Sequence, residues 1–372
     1  MKICEKGRCT GCGACVSICP KGAIRLAYNR KQELVTIVDK EKCVNCGLCK
    51  KVCQVNNDFK NNGIICCYAA WIDNQKERER CASGGIGYTL VKNMLLNQGV
   101  SYAACLDESQ EVSICRITDK DQINKIKGSK YVYSYTKNTY KQVKNDLKNG
   151  EKVLYIGLPC QVAGLYGYLG KEKCNNLYTV DIICHGSASH KLWEDHIKLL
   201  KEQNKLKEYD NFSFRSNIEG ENYYLSFQKE DKTILNIWNE HDEYFFHFLN
   251  GTFLRDSCYH CKYKCEKRVG DITIGDFIGL GKEHKFDEDD GNTSVILVNN
   301  EKGKELLSQY SKDIKLIERN ISEAVENGPS LNGNINKNYM KKIFGFIYIF
   351  LGYKHAVTIM KYFVKIRRKL KK

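Results

Sequence analysis

Four cysteines at the spacing C-x2-C-x2-C-x3-C occur twice near the start of this chain, as Cys9, Cys12, Cys15 and Cys19 and, 34 residues later, as Cys43, Cys46, Cys49 and Cys53. Three closely spaced thiols let one short loop wrap an iron–sulfide cube, while the fourth points away and reaches a neighbouring cube. The repeat therefore predicts two 4Fe–4S clusters with crossed ligation. Cys9, Cys12, Cys15 and Cys53 would hold one, and Cys19, Cys43, Cys46 and Cys49 the other. Pro20 follows the first run, as this pattern expects, whereas Gln54 takes the place of proline after the second, a departure expected to touch only the loop exit. Gly11, Gly13 and Gly47 suit loops that turn N–H groups toward sulfur. The alternatives are a zinc site, which uses two cysteine pairs across a longer spacer, and a disulfide knot. Short strands are expected at 23–28 and 34–38 around a polar turn, with an Asn-rich linker at 56–63 closing a module over residues 1–60.

The chain has 20 cysteines, and no apolar stretch between a basic start and a small-residue cleavage site precedes them. Reduced, metal-loaded thiolates are therefore expected rather than disulfides, along with a cytoplasmic setting. The formal net charge of +15 is concentrated at one end: residues 337–372 carry eleven Lys and Arg and no acid, leaving 15 − 11 = +4 elsewhere. Three clusters at about −2 each would bring that remainder to roughly −2. Basic residues confined to a tail argue against nucleic-acid binding, which stripes them along a folded face. The mean hydropathy of −0.48 fits a soluble body, with no apolar run expected to span a bilayer.

From residue 61 to 336, strand-like runs (64–70, 101–106, 153–158, 178–184, 271–274, 294–299) alternate with helical ones (86–97, 139–148, 161–169, 191–205, 302–310). The expected fold class is α+β / α/β, a small di-cluster domain followed by a larger α/β domain with a mixed sheet. A hairpin is expected from 212–214 and 223–228.

Several motifs in this domain lie where α/β sheets bind ligands. Ser83-Gly84-Gly85 precedes a helix that Ser83 can cap, with glycines that admit a phosphate. Gly157-Leu158-Pro159-Cys160-Gln161 ends a strand and opens a helix, whose dipole favours a thiolate at Cys160. Cys184-His185-Gly186 ends another strand, and Cys258 and Cys261 add a thiol pair. Four ligands from three segments could assemble a third cluster. With Ser129-Lys130-Tyr131 and 270–277, this ordered series resembles the beta-subunit family of coenzyme F420 hydrogenases and dehydrogenases over about residues 64–300, in the form of bacterial members encoded among polysaccharide genes.

The resemblance implies FAD and one further 4Fe–4S cluster, held by Cys160, Cys184, Cys258 and Cys261. It places Ser83, Gly84, Gly85, Ser129, Lys130, Tyr131, Gly157 and Pro159 at the flavin. It does not by itself require coenzyme F420. Ile278 stands where the family often has Trp, and Cys265 is a spare thiol that could compete as a ligand. His185 is the candidate proton donor, a packed histidine being the alternative. Cys4, Cys66, Cys67, Cys105, Cys115 and Cys174 are read as small apolar packing residues, and Cys81 adjoins the proposed flavin turn.

In the tail (337–372), Ile343, Phe346, Ile347, Phe350, Val357, Met360, Phe363 and Val364 recur at helical spacing, with Lys354, Lys361, Lys365, Arg367 and Arg368 beside them. Peripheral contact with an anionic membrane at its inner face, or docking on the body or a second copy, are the two expectations. The functional expectation is an iron–sulfur flavoprotein oxidoreductase that exchanges electrons with a ferredoxin, a deazaflavin or a reductase subunit and reduces a small organic substrate. The alternatives are an electron-transfer subunit of a larger complex and a non-catalytic redox sensor.

Overall fold

The computed structural model describes residues 2–59, 62–170, 174–218, 221–288, 292–333 and 339–370. The N-terminal module consists of helix α1 (Ala14–Ile18), strands β1 (Ile24–Tyr28) and β2 (Leu34–Val38), and helix α2 (Leu48–Lys51). The strands pair antiparallel about their polar turn, Ile24 opposite Val38 and Tyr28 opposite Leu34. Each helix starts on a glycine in the left-handed region, Gly13 at φ 81° and Gly47 at φ 78°, a conformation that strains any residue with a side chain.

The large domain continues through β3 (Cys66–Ile72), α3 (Gln75–Glu79), α4 (Ile86–Leu96), β4 (Val100–Leu106), β5 (Val112–Ile117), α5 (Thr139–Lys148), β6 (Val153–Gly157), α6 (Pro159–Leu169), β7 (Leu177–Ile182) and α7 (His190–Glu202). A separate antiparallel sheet follows, β8 (Asn211–Ile218), β9 (Glu221–Lys229) and β10 (Lys232–Trp238), then α8 (Glu243–Leu249). The expected hairpin is present as β8 and β9. The chain then returns as β11 (Ile272–Asp276), β12 (Ser294–Val298), α9 (Glu301–Tyr310), β13 (Ile314–Arg319), α10 (Ile321–Val325) and α11 (Tyr339–Leu370).

Among the described residues one mixed sheet runs β13-β3-β12-β11-β7-β6-β4-β5, with β4, β6, β7 and β11 parallel to their neighbours in that block. The central strands β7 and β11 are apolar on one face, through Tyr178, Val180, Ile272 and Ile274, while on the other Asp181 and Thr273 form a buried polar network with Arg268. In β6, Leu154 and Ile156 point to the face covered by α4 and α9, whereas Val153 and Tyr155 point to the face covered by α5 and α6. That second core does not end at α6: it runs on through Cys12, Cys15, Val52 and Cys53, so the cluster module and the large domain share one hydrophobic interior. The expected linker is part of the seam as well, since Asn62 and Arg268 exchange backbone hydrogen bonds at 2.9 Å, while Lys60 and Asn61 lie outside the described residues.

Three expectations need correction here. Cys105 and Cys115 are not isolated packing residues: they form a disulfide across β4 and β5, with Cα atoms 6.1 Å apart. The strand register brings them together, and spacing alone does not reveal it. The tail does not present one continuous apolar face, because α11 kinks at Gly352 (φ 75°). Before the kink Phe346 and Phe350 are exposed, while after it Ala356, Val357 and Met360 are fully buried against an aromatic core around Trp193 and Tyr244. His247 Nε2 donates to Val357 O at 3.1 Å and helps seat this half. The side chains of Val364, Lys365, Arg367 and Arg368 lie outside the described residues. Finally, Tyr339–Phe363 is long and apolar enough to cross a membrane by length and composition, with a mean hydropathy of 1.5, contrary to the expectation of no such run.

Candidate functional site

The module brings its eight repeat cysteines into two groups. Cys12 and Cys15 are buried and lie in the electrostatic reach of Cys9 and Cys53. Cys19, Cys43, Cys46 and Cys49 line a separate surface pocket with Val44 and Lys21, and Cys46 is exposed. The grouping follows the crossed pattern of the repeat. Backbone N–H groups face the sulfurs, that of Ala23 reaching Cys19 Sγ at 3.3 Å and that of Ala14 reaching Cys12.

Burial pushes the Cys12 thiol up to about 12. Cys9 and Cys53 go the other way, to about 5 and about 7, because the Cys4 thiol donates a hydrogen bond to each. Cys4, expected to be an isolated packing residue, thus touches two thiols of the inner group; nothing in its sequence spacing signals this. Gln54 also does more than adjust a loop exit. It is 2% exposed, donates to Thr10 Oγ1 at 2.9 Å and accepts from Tyr263 O–H at 2.7 Å, linking the Cys9 loop to the Cys258–Cys265 loop.

Cys160, Cys184, Cys258 and Cys261 line one cavity. Proline at the first position of α6 removes an N–H that no helical carbonyl could use, so the helix starts two residues earlier than expected and Cys160 lies in its first turn. Gln161 Oε1 accepts the Leu158 N–H at 3.1 Å and its amide donates to Ser134 O at 2.8 Å, fixing the turn. The helix dipole does not prevail at Cys160: burial holds its thiol well above the ordinary value, and Cys184 is raised to about 12 for the same reason. A dry pocket of neutral thiols becomes a thiolate site only when a cation compensates the charge, which is the chemistry of a metal-ligand set. Among the described residues no three His, Cys, Asp or Glu side chains converge as a single ion would need. Cys265 turns away, its thiol facing the carbonyls of Lys262 and Lys267.

On the other side of the Gly157–Gln161 turn lies a cleft of about 270 Å³, close to the roughly 300 Å³ at which small-molecule sites begin. It opens at the carboxyl ends of β6, β7 and β11. Ser83, Gly85, Ser129, Lys130, Tyr131 and Gly157 line it, together with Ile156, Leu158 and Ile274. Ser83 does not cap α4; its hydroxyl donates to Thr293 O at 3.2 Å, and Gly85 in the left-handed region is the cap residue. Gly84 faces the sheet, where an added Cβ would lie 2.3 Å from Ala70 O. Pro159 lines the cysteine cavity instead of the cleft. Lys130 donates to Lys127 O at 2.7 Å, and burial lowers its ammonium to about 7. Arg215 pairs with Asp276 at the rim. His185 is exposed, stands edge-on to Phe248 at 5.9 Å and lines neither cavity. Leu158 lines both.

Comparison with known proteins accords with this geometry. Residues 8–57 match the family described as 4Fe-4S dicluster domain. Residues 67–139 match Coenzyme F420 hydrogenase/dehydrogenase, beta subunit N-term, and residues 150–324 match the C terminus of the same subunit. The chain belongs to the coenzyme F420 hydrogenase/dehydrogenase beta-subunit family, with a 4Fe–4S dicluster domain at its N-terminus, and is an iron–sulfur electron-transfer protein. Among solved structures, a chain of the xenon-derivatised F420-reducing NiFe hydrogenase complex from Methanosarcina barkeri is 14% identical, covering 83% of this chain and 94% of that one at a TM-score of 0.47. That likeness is too distant to give any residue a role. No curated protein matches.

Proposed function

We propose that this protein is an iron–sulfur flavoprotein that carries electrons in single file between an exposed cluster and a flavin in the α4–α6 cleft. The observation that carries the reading is the shared wall: Leu158 separates the four-thiol cavity from the cleft, and the inner group of the module abuts the same helix. The order would be the Cys19/Cys43/Cys46/Cys49 cluster, the Cys9/Cys12/Cys15/Cys53 cluster, a third cluster on Cys160, Cys184, Cys258 and Cys261, and then the cleft. Gly164, one turn beyond Cys160, holds the contact between the last two clusters: an added Cβ would lie 2.9 Å from Cys12 Sγ.

The cleft suits a flavin through its apolar walls and a cation, Lys130, that is not paired as Lys127 is with Glu77 and Arg215 with Asp276. Lys130 has no carboxylate partner among the described residues, and an anionic group beside it would restore its charge. A bound flavin would exchange one-electron steps with clusters for the two-electron steps of organic redox chemistry. Gly85 lines the cleft at the start of α4, packed so that an added Cβ would lie 2.9 Å from Ile72, and Tyr131, stacked 4.7 Å from Phe248, fixes one wall. A ferredoxin-like carrier or a reductase subunit is the redox partner, and a small organic molecule or deazaflavin the acceptor. Anaerobic purification with iron, sulfide and flavin quantified together tests the reading: about twelve irons and one flavin are expected, and eight irons without flavin would leave only the module.

The outward face of α11 before its kink is the proposed membrane contact, since Phe346, Ile349 and Phe350 are exposed in a segment without acidic residues. Phe346→Ser with Phe350→Ser leaves the buried half in place and should abolish co-sedimentation with anionic liposomes; equal pelleting of variant and wild type would refute membrane contact.

A further inference from the structure

Arg255 crosses the seam between the module and the large domain. Its side chain is 2% exposed. Nη1 donates to Thr10 O at 2.7 Å, and Nη2 donates to Leu34 O at 2.6 Å and Cys9 O at 3.4 Å. The guanidinium lies 4.4 Å from the centre of the Tyr133 ring, and Nε has no hydrogen-bond partner among the described residues. Every acceptor is a neutral carbonyl. The carboxylates nearby are engaged elsewhere: Glu33 with Lys341 at 2.6 Å, and Asp256 with Lys31 at 2.5 Å and Lys341 at 2.8 Å. A guanidinium taken out of water is costly unless an anion faces it. Arg255 shows such a need on both sides, because it lines the cavity of Cys160, Cys184, Cys258 and Cys261 while it holds the carbonyls of Cys9 and Thr10.

We propose that Arg255 is the shared counter-charge of the two inner iron–sulfur sites, a positioning residue that raises the reduction potentials of both clusters and seats one against the other. The proposal rests on the reading of both thiol groups as 4Fe–4S sites. An oxidised cluster with four thiolates carries about −2, and reduction by one electron makes it more negative. A fixed cation between two such groups therefore stabilises the reduced form of each. It has no comparable effect at the outer cluster, whose thiols share a surface pocket with Lys21 and not with Arg255.

The test is an EPR-monitored redox titration, with dithionite as reductant, of the full-length protein purified anaerobically as wild type, Arg255→Lys and Arg255→Gln. Both substitutions lose the fork, and only the Lys variant keeps the charge. At a fixed potential the reduced-to-oxidised ratio of two clusters should fall at least tenfold in the Gln variant relative to the Lys variant, about 59 mV for one electron, while the third wave stays in place. Loss of iron from the inner sites in the Gln variant alone would support the charge role equally. Superimposable titrations at equal iron content, or equal iron loss in both variants, overturn it and leave Arg255 a packing residue. Wild-type protein without iron, or with zinc in its place, overturns the cluster reading itself, so the two failures are told apart.

Discussion

The two halves of the cysteine repeat have the same spacing and meet different surroundings. The second loop, with Cys43 and Cys46, lies at the surface beside Val44 and Leu48, which are 59% and 38% exposed. Lys21 lines the pocket of these thiols, and exposed Lys50 and Lys51 follow Cys49 in the chain. The first loop packs Cys12 and Cys15 into the core that α6 shares with the large domain. Glycines record the difference. An added Cβ at Gly47 meets nothing within 4 Å, whereas at Gly13, its counterpart in the first loop, it would lie 2.6 Å from Thr136 Oγ1 of the large domain, and on the domain's side of the seam one at Gly167 would lie 2.4 Å from Val52 O. Equal spacings thus meet unequal surroundings, a wet loop and a dry one, and on the proposed reading the wet one faces the redox partner while the dry one passes charge inward.

The strongest way to break this contrast is to crowd the dry side. Gly167→Val drives a branched side chain into backbone that cannot yield, and Gly164→Val meets Cys12 and Tyr140 within 3 Å. Each should cost about 3 kcal/mol or more, the upper end of overpacking effects. Gly47→Ala, strained only by its positive φ, should cost about 1 kcal/mol. Anaerobic denaturant unfolding of the loaded proteins measures both, and equal losses would show that the module is not seated on α6.

Much of this was legible beforehand, and the division follows range. The pairing of β1 with β2 and the alternation of strand and helix are properties of local spacing, which a sequence displays directly. The Gly157–Gln161 turn announced itself because strand, proline and helix start stand side by side. What escaped was set by long-range register. The Cys105–Cys115 pairing needs β4 and β5 aligned, Arg255 gains meaning only beside Thr10 and Leu34, and Gln54 only beside Tyr263. The tail differs for a related reason: helical spacing suggests a single stripe, but the kink at Gly352 breaks it, so that Phe346, Phe350 and Phe363 face solvent while Val357 and Met360 enter the core.

A smaller effect should appear at the wet site. Lys21, Lys50 and Lys51 form no ion pair among the described residues; Lys21 lines the pocket of the outer thiols with Val44 and Leu48, and exposed Lys50 and Lys51 follow Cys49 in the chain. Reversing all three to Glu should slow reduction by an acidic one-electron carrier about tenfold at low ionic strength. The difference should shrink at high salt, since such steering is screened. Dithionite, a small reductant, should reduce both proteins at similar rates. Stopped-flow bleaching gives the rates, and an unchanged carrier rate would move the entry point away from this loop.

Dryness also has a pH signature on the side of the cleft, where Lys130 offers the smallest and most specific effect. Burial lowers its ammonium from 10.5 to about 7, against a contact limited to Lys127 O and the face of Phe212 at 5.4 Å. Between those values the unfolded chain holds a proton that the folded, flavin-free protein has released. Stability should therefore rise with pH above about 7, and this contribution is lost as pH falls through the folded value. The slope is at most about 1.4 kcal/mol per pH unit, and Lys130→Met should flatten it. Urea unfolding of both flavin-free proteins at neutral and alkaline pH isolates the term, because the thiols titrate alike in each. If an anionic ligand occupies the cleft, it should re-protonate Lys130, and the wild-type slope should diminish when flavin is added. Parallel stability curves for wild type and variant would mean that Lys130 is hydrated, and the cleft would lose the unpaired cation proposed to meet an anionic ligand.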